Sequence, residues 1–188
     1  MNHFFQNMAG FYRISNSRPV VTGILLALIA LACKPPVQEQ LHSQPDPVSE
    51  QFVRANQYMQ QRHQDHIAAF VERVGWEAKV TPTGLWIVIK VSGEGSAIRE
   101  NSMVTFTYDS KLLDGTPCYN TTLNQPKVIT IGKGGVESGV EQGMKWLKEG
   151  AEAVLLIPPH LAHGNFGDRD KIPGNSTLIY SLKVLNVE

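Results

Sequence analysis

Histidines stand three apart at His63 and His66 and again at His160 and His163, cysteines occur at Cys33 and Cys118, and glycines gather around a lysine in Gly132-Lys133-Gly134-Gly135. Each pattern has a chemistry it could serve and a set of partners that chemistry demands. A histidine pair can begin a metal site, but a closed site takes four nitrogen, sulfur or oxygen donors. No cysteine or carboxylate set completes one around either pair, and the sequence calls for no metal and no cofactor. A cysteine attacks as the thiolate, which a nearby cation must favour at neutral pH. Pro117 and Tyr119 offer Cys118 no cation, so it reads as a wall residue rather than a nucleophile. The glycine-lysine run lacks the Gly-Lys-Ser/Thr ending with which a phosphate loop closes on its ligand, and it reads as a turn.

The chain has 188 residues, with 17 Lys and Arg balanced by 17 Asp and Glu. Zero net charge leaves no broad field to attract nucleic acid or an anionic membrane, so partners must be met by shape and local chemistry. The start holds Arg13 and Arg18, then an uncharged run from Pro19 to Ala32, then Cys33. That is the layout of a secretory signal. The run of about 14 residues falls short of the ~20 that span a bilayer as a helix, which makes a permanent transmembrane anchor the weaker reading. Ile29-Ala30-Leu31-Ala32-Cys33 resembles the bacterial lipoprotein signal. The resemblance implies removal of residues 1–32 and lipidation of Cys33, with each buried CH₂ contributing roughly 0.8 kcal/mol to membrane attachment. Lys34 is not the aspartate associated with inner-membrane retention, so the implied address is the cell envelope, at the outer membrane and facing the periplasm. With Cys33 consumed, Cys118 has no disulfide partner. Residues 33–46, rich in Gln, Pro and Ser, cannot build a core and read as a flexible tether.

Asp46 followed by Pro47 looks like a helix cap with proline at the first helical position, and Gly75 suits the residue just past a helix end. A helix over 47–75 follows. Its apolar stripe through Phe52, Ala55, Met59, Ile67, Phe70 and Val74 is thin in the middle, which suits a spacer packed partly on the domain, or a helix that pairs with its own copy in a homodimer. From Gly84 the period changes to two. Leu85, Ile87, Ile89 and Val91 alternate with Trp86, Val88 and Lys90, and further β-rich runs surround Val104 to Tyr108, Lys127 to Ile131, Ala153 to Ile157 and Thr177 to Leu185. One helix interrupts them, over Val136 to Lys148, with Gly139 and Gly143 a turn apart and placed for close approach to a sheet. The expected fold is α+β, an antiparallel β-sheet wrapped around one short helix and preceded by the long N-terminal helix.

Several landmarks then come in order. Val104-Thr105-Phe106-Thr107-Tyr108 precedes Leu113-Asp114-Gly115; Ile131-Gly132-Lys133 precedes Val136-Glu137-Ser138-Gly139-Val140-Glu141-Gln142-Gly143-Met144. Ile157-Pro158-Pro159-His160-Leu161-Ala162-His163-Gly164 follows, and Lys171-Ile172-Pro173-Gly174-Asn175-Ser176-Thr177-Leu178-Ile179-Tyr180 comes last. Over residues 84–188 this succession resembles the FKBP family of peptidyl-prolyl cis-trans isomerases (rotamases). The Ala-His-Gly loop is similar to that of FKBP-type lipoproteins of gliding and related envelope bacteria.

The resemblance implies an isomerase that assists folding of proline-containing exported polypeptides. It implies an apolar and aromatic cleft lined by Tyr108, Val136, Val140, Ile172 and Tyr180, with His163 at the mouth and the backbone N–H of Glu137 facing the peptide. Typical members carry a tryptophan where this chain has Val140 and a tyrosine where it has His163. They carry a phenylalanine-aspartate pair at Cys118-Tyr119, or at Tyr119-Asn120 if the alignment shifts by one. The implied pocket is wider and less aromatic, with His163 as a replacement donor to a substrate carbonyl. An alternative stays open, a tethered peptide-binding chaperone or scaffold with little catalysis.

Overall fold

The computed structural model describes residues 47–188. The signal segment, Cys33, the tether and Asp46 lie outside the described residues. A first helix, α1 (Pro47–Val74), is followed by β1 (Lys79–Val80), β2 (Trp86–Val91), β3 (Met103–Leu112), β4 (Pro117–Asn120), β5 (Lys127–Thr130), α2 (Ser138–Met144), β6 (Glu152–Ile157), a 3₁₀ turn (Pro159–Leu161) and β7 (Leu178–Val187). The strands form one antiparallel seven-stranded sheet in the order β1-β2-β6-β7-β3-β4, with β5 also paired to β3. This is the expected α+β fold.

Alternation along the strands decides which residues meet. Ala153, Leu155 and Ile157 of β6 turn inward with Leu178, Tyr180, Leu182 and Val184 of β7 and Val104 and Phe106 of β3, and all are buried under α2. Val154, Leu156 and Ile179, one residue out of phase, face the other side and are buried against Ile67 and Val71 of α1. Both faces of the central strands are therefore covered, which explains why Ala153 to Ile157 reads as a continuous apolar run rather than a half-polar one.

The short helix can approach the sheet closely because two of its sheet-facing positions are glycines. A Cβ on Gly143 would strike Leu155 at 2.5 Å, and one on Gly139 would strike Ile157. The helix is shorter than the expected Val136–Lys148. Glu137 is still extended (φ −60°, ψ 145°), and after Met144 the chain tightens into turns in which Trp146 N bonds Gly143 O and Leu147 N bonds Met144 O. Each glycine in the middle weakens propagation by ~1 kcal/mol, so tertiary contacts hold two turns and no more.

α1 ends as expected. Gly75, at φ +71°, donates to Glu72 O and Trp76 donates to Val71 O, which closes the last carbonyls. Its second half docks on the outer face, where Gln64 accepts from Trp86 Nε1 (2.7 Å) and donates to Gly84 O (2.9 Å). Phe70 meets Trp76 edge to face at 5.8 Å. β1 and β4 were not expected from the sequence; two and four residues long, they carry too little alternation to show a period.

Candidate active site

A cleft of about 480 Å³ opens on the inner side of the sheet, and its wall is assembled from segments far apart in the chain. Tyr108 comes from β3, Tyr119 from β4, Lys127 from β5, Val136 and Glu137 from the entry to α2, Ala162 and His163 from the segment after the 3₁₀ turn, and Tyr180 from β7. Pairing of β3 with β7 sets Ser110 opposite Tyr180 and Tyr108 opposite Leu182. The two tyrosines are thus diagonal neighbours on one face, and their rings stack at 4.6 Å and 18°. Phe106 backs Tyr108 at 5.9 Å. Tyr180 is 2% exposed; burial first, then the Glu137 charge, pushes its phenol far above the ordinary tyrosine range, so the ring is a neutral wall at any physiological pH.

Six of the nine expected pocket residues, Tyr108, Tyr119, Val136, Glu137, His163 and Tyr180, line the cleft. Val140, Ile172 and Cys118 do not. They are buried in the core cluster against which Tyr108, Tyr119 and Val136 pack. Burial pushes the Cys118 thiol above its usual value, the direction opposite to that of a nucleophile. Glu137 O accepts from the amides of Val140 and Glu141, while its own N–H has no partner among the described residues. His163 Nε2 lies 2.9 Å from Glu137 Oε1, and His160 Nε2 lies 2.9 Å from Thr83 O. The two histidines thus serve different partners, and His163 reaches a substrate carbonyl only through Nδ1 or after its contact with Glu137 opens.

The loop that carries His163 and Ile172 is tied to β4 through Asp168. Its Oδ2 accepts from Tyr119 Oη at 2.5 Å, and its Oδ1 accepts from the amides of Ile172 (2.8 Å) and Asp170 (2.9 Å). Desolvation raises the Asp168 carboxyl, but these bonds outweigh it and hold the group at about 2. The same carboxylate raises the Tyr119 phenol far above its ordinary value. Lys171 completes the clasp, donating to Cys118 O at 3.1 Å with its ammonium 4.9 Å from the Tyr119 ring centre.

Lys127 and Asp168 were missed from the sequence. Lys127 was legible, since it sits two before Ile129 and four before Ile131 and alternation turns all three to one side. Asp168 had no local signal, because its partner Tyr119 is far away in the chain.

Comparison with known proteins agrees with this geometry. Residues 94–185 match the family described as FKBP-type peptidyl-prolyl cis-trans isomerase. The chain is 31% identical over 109 residues to the "FKBP-type peptidyl-prolyl cis-trans isomerase FkpA" of Buchnera aphidicola subsp. Acyrthosiphon pisum, covering 58% of this chain and 44% of that protein. It is 36% identical over 109 residues to the "Probable FKBP-type peptidyl-prolyl cis-trans isomerase FkpA" of Neisseria meningitidis serogroup B, covering 58% and 40%. The matched region thus spans less than half the length of these relatives. The crystal structure of FkpA from Escherichia coli superposes with a TM-score of 0.57 at 29% identity, covering 89% of this chain and 82% of that one. Residues 94–185 form a domain of the FKBP-type peptidyl-prolyl cis-trans isomerase family.

Proposed function

We propose that the whole protein is a peptidyl-prolyl cis-trans isomerase of the cell envelope, held at the outer membrane by lipid on Cys33 and acting on proline-containing exported polypeptides. The observation that carries the reading is the cleft itself, lined by two stacked tyrosines and by Glu137, whose amide has no partner among the described residues. A prolyl amide rotates slowly because its C–N bond is partly double, with a barrier of ~20 kcal/mol. Rotation breaks that conjugation and leaves a less dipolar group. Moving the bond from water onto the Tyr108 and Tyr180 rings therefore favours the twisted state over the planar one, and each ~1.4 kcal/mol so gained is tenfold in rate. In this reading the Glu137 N–H takes a substrate carbonyl and orients the proline. No nucleophile and no cofactor is called for. In this reading Ile172, Val140 and Cys118 keep the wall rigid from behind, and Asp168 holds the His163 loop against β4.

A second reading has its own observation. Three of the wall residues, Lys127, Glu137 and His163, are basic or acidic side chains, and a polar wall favours peptide binding over the desolvation that lowers the barrier. In that case the protein is a tethered chaperone or scaffold. The first half of α1, with Phe52 and Tyr58 exposed at 68% and 62%, supports pairing with a second copy in either reading.

Turnover of short proline peptides by the full-length chain separates the two. The isomerase reading expects catalysis of cis-to-trans isomerisation that falls at least tenfold in Tyr108→Ala. A folded chain that binds the peptides without accelerating them would establish the binding reading instead.

A further inference from the structure

Lys127 opens β5 at a position where alternation calls for a core residue. Ile129 is 6% exposed and Ile131 is fully buried, whereas Val128 between Lys127 and Ile129 is 55% exposed. Lys127 therefore starts on the inward face, opposite buried Phe106 of β3, and lines the cleft together with Tyr119 and Val136. Among the described residues every other lysine and every arginine is exposed; Lys127 alone is half-buried. Carboxylates engage Lys111, Lys145 and Lys183, but among the described residues none engages Lys127. The acid in the same wall, Glu137, is taken up by His163. An ammonium drawn partly out of water without a counter-charge is unfavourable, and a carboxylate brought beside it relieves the penalty.

We propose that Lys127 makes the cleft selective for prolyl segments that carry an aspartate or glutamate side chain next to the proline. The inference deepens the isomerase reading and rests on the same cleft. An apolar residue at this strand position rewards a bulky apolar neighbour of proline; a lysine rewards an acidic one. A pair that stays in contact with water is worth about fivefold in affinity or rate, and salt screens it.

The test uses the full-length chain and one peptide series with Glu, Gln, Lys or Leu on either side of proline, read by isomerisation rate and by calorimetric affinity. Glu is expected to exceed its isostere Gln about fivefold on one side of proline, with the gap narrowing as NaCl is raised. K127Q is expected to level Glu and Gln, and K127E to transfer the preference to the Lys peptide. Equal values for Glu and Gln in the native chain, or a Glu preference that survives in K127Q, overturn the proposal. The Leu peptide reads the isomerase activity separately. If no peptide is turned over, the affinities still decide the selectivity, so failure of one reading is distinct from failure of the other.

Discussion

The two faces of the sheet are made from the same strands, yet they do different work. Inward residues of β3, β6 and β7 are buried with α2 into the larger cluster, and the cleft is the open end of that layer. Outward residues Val88, Val154, Leu156 and Ile179 form a smaller cluster covered mainly by the second half of α1, with Trp76, Ala78 and Leu113 packed at its margin. The inner face is built from residues of nearly every element and cannot be opened piecemeal. The outer face is covered chiefly by one helix whose first half, residues 48–62, is exposed throughout. A small apolar contact closed by one element is the kind of region that opens locally while the rest stays folded.

The sharpest way to break this contrast is a matched pair of truncations. Phe106→Ala on the inner face is expected to destabilise the whole domain by ~3–5 kcal/mol, measured by urea denaturation. Ile67→Ala on the outer face removes a fully buried side chain too. Its loss of ~2–4 kcal/mol should appear mainly as faster hydrogen exchange and proteolysis of α1, with the cleft intact. Equal global unfolding in both variants would mean that the two faces form one cooperative unit.

Two smaller effects sharpen the outer face. Gln64→Ala deprives Trp86 Nε1 and Gly84 O of their partner and should weaken docking by ~1–2 kcal/mol, seen as a shift in α1 exchange alone. Acid should act in the same place. Desolvation, then the nearby His66, His160 and Arg62, hold His63 below the ordinary histidine value of 6.5. A histidine whose folded value is lowered stays neutral in the fold, so docking keeps its full strength above pH 6.5 and loses it as the pH falls below that value. Proteolysis of α1 is expected to speed up between pH 7.5 and 5.5, and His63→Gln should flatten that dependence.

Much of the scaffold was legible in the chain. Period-two runs placed β2, β3, β5, β6 and β7, Gly75 marked the end of α1, and Gly139 with Gly143 announced a helix pressed on a sheet. Each signal is local, because backbone geometry repeats every two or 3.6 residues and turn residues act within one turn. Tyr108, Tyr119, Val136, Glu137, His163 and Tyr180 were also named, through the family resemblance, and they line one cleft. What the sequence alone could not decide was which side of that wall each residue takes. Val140, Ile172 and Cys118 were named with them, but strand and helix packing buries these three in the core cluster. Likewise the contact of His163 with Glu137, the clasp of Asp168 on Tyr119 and the isolation of Lys127 all arise between residues distant in the chain. Such contacts exist only once strand register has set β4, β5 and the loop before β7 around the same space. The local chemistry of the chain therefore determined its elements, and tertiary register decided which charges are paired and which one is left facing the cleft.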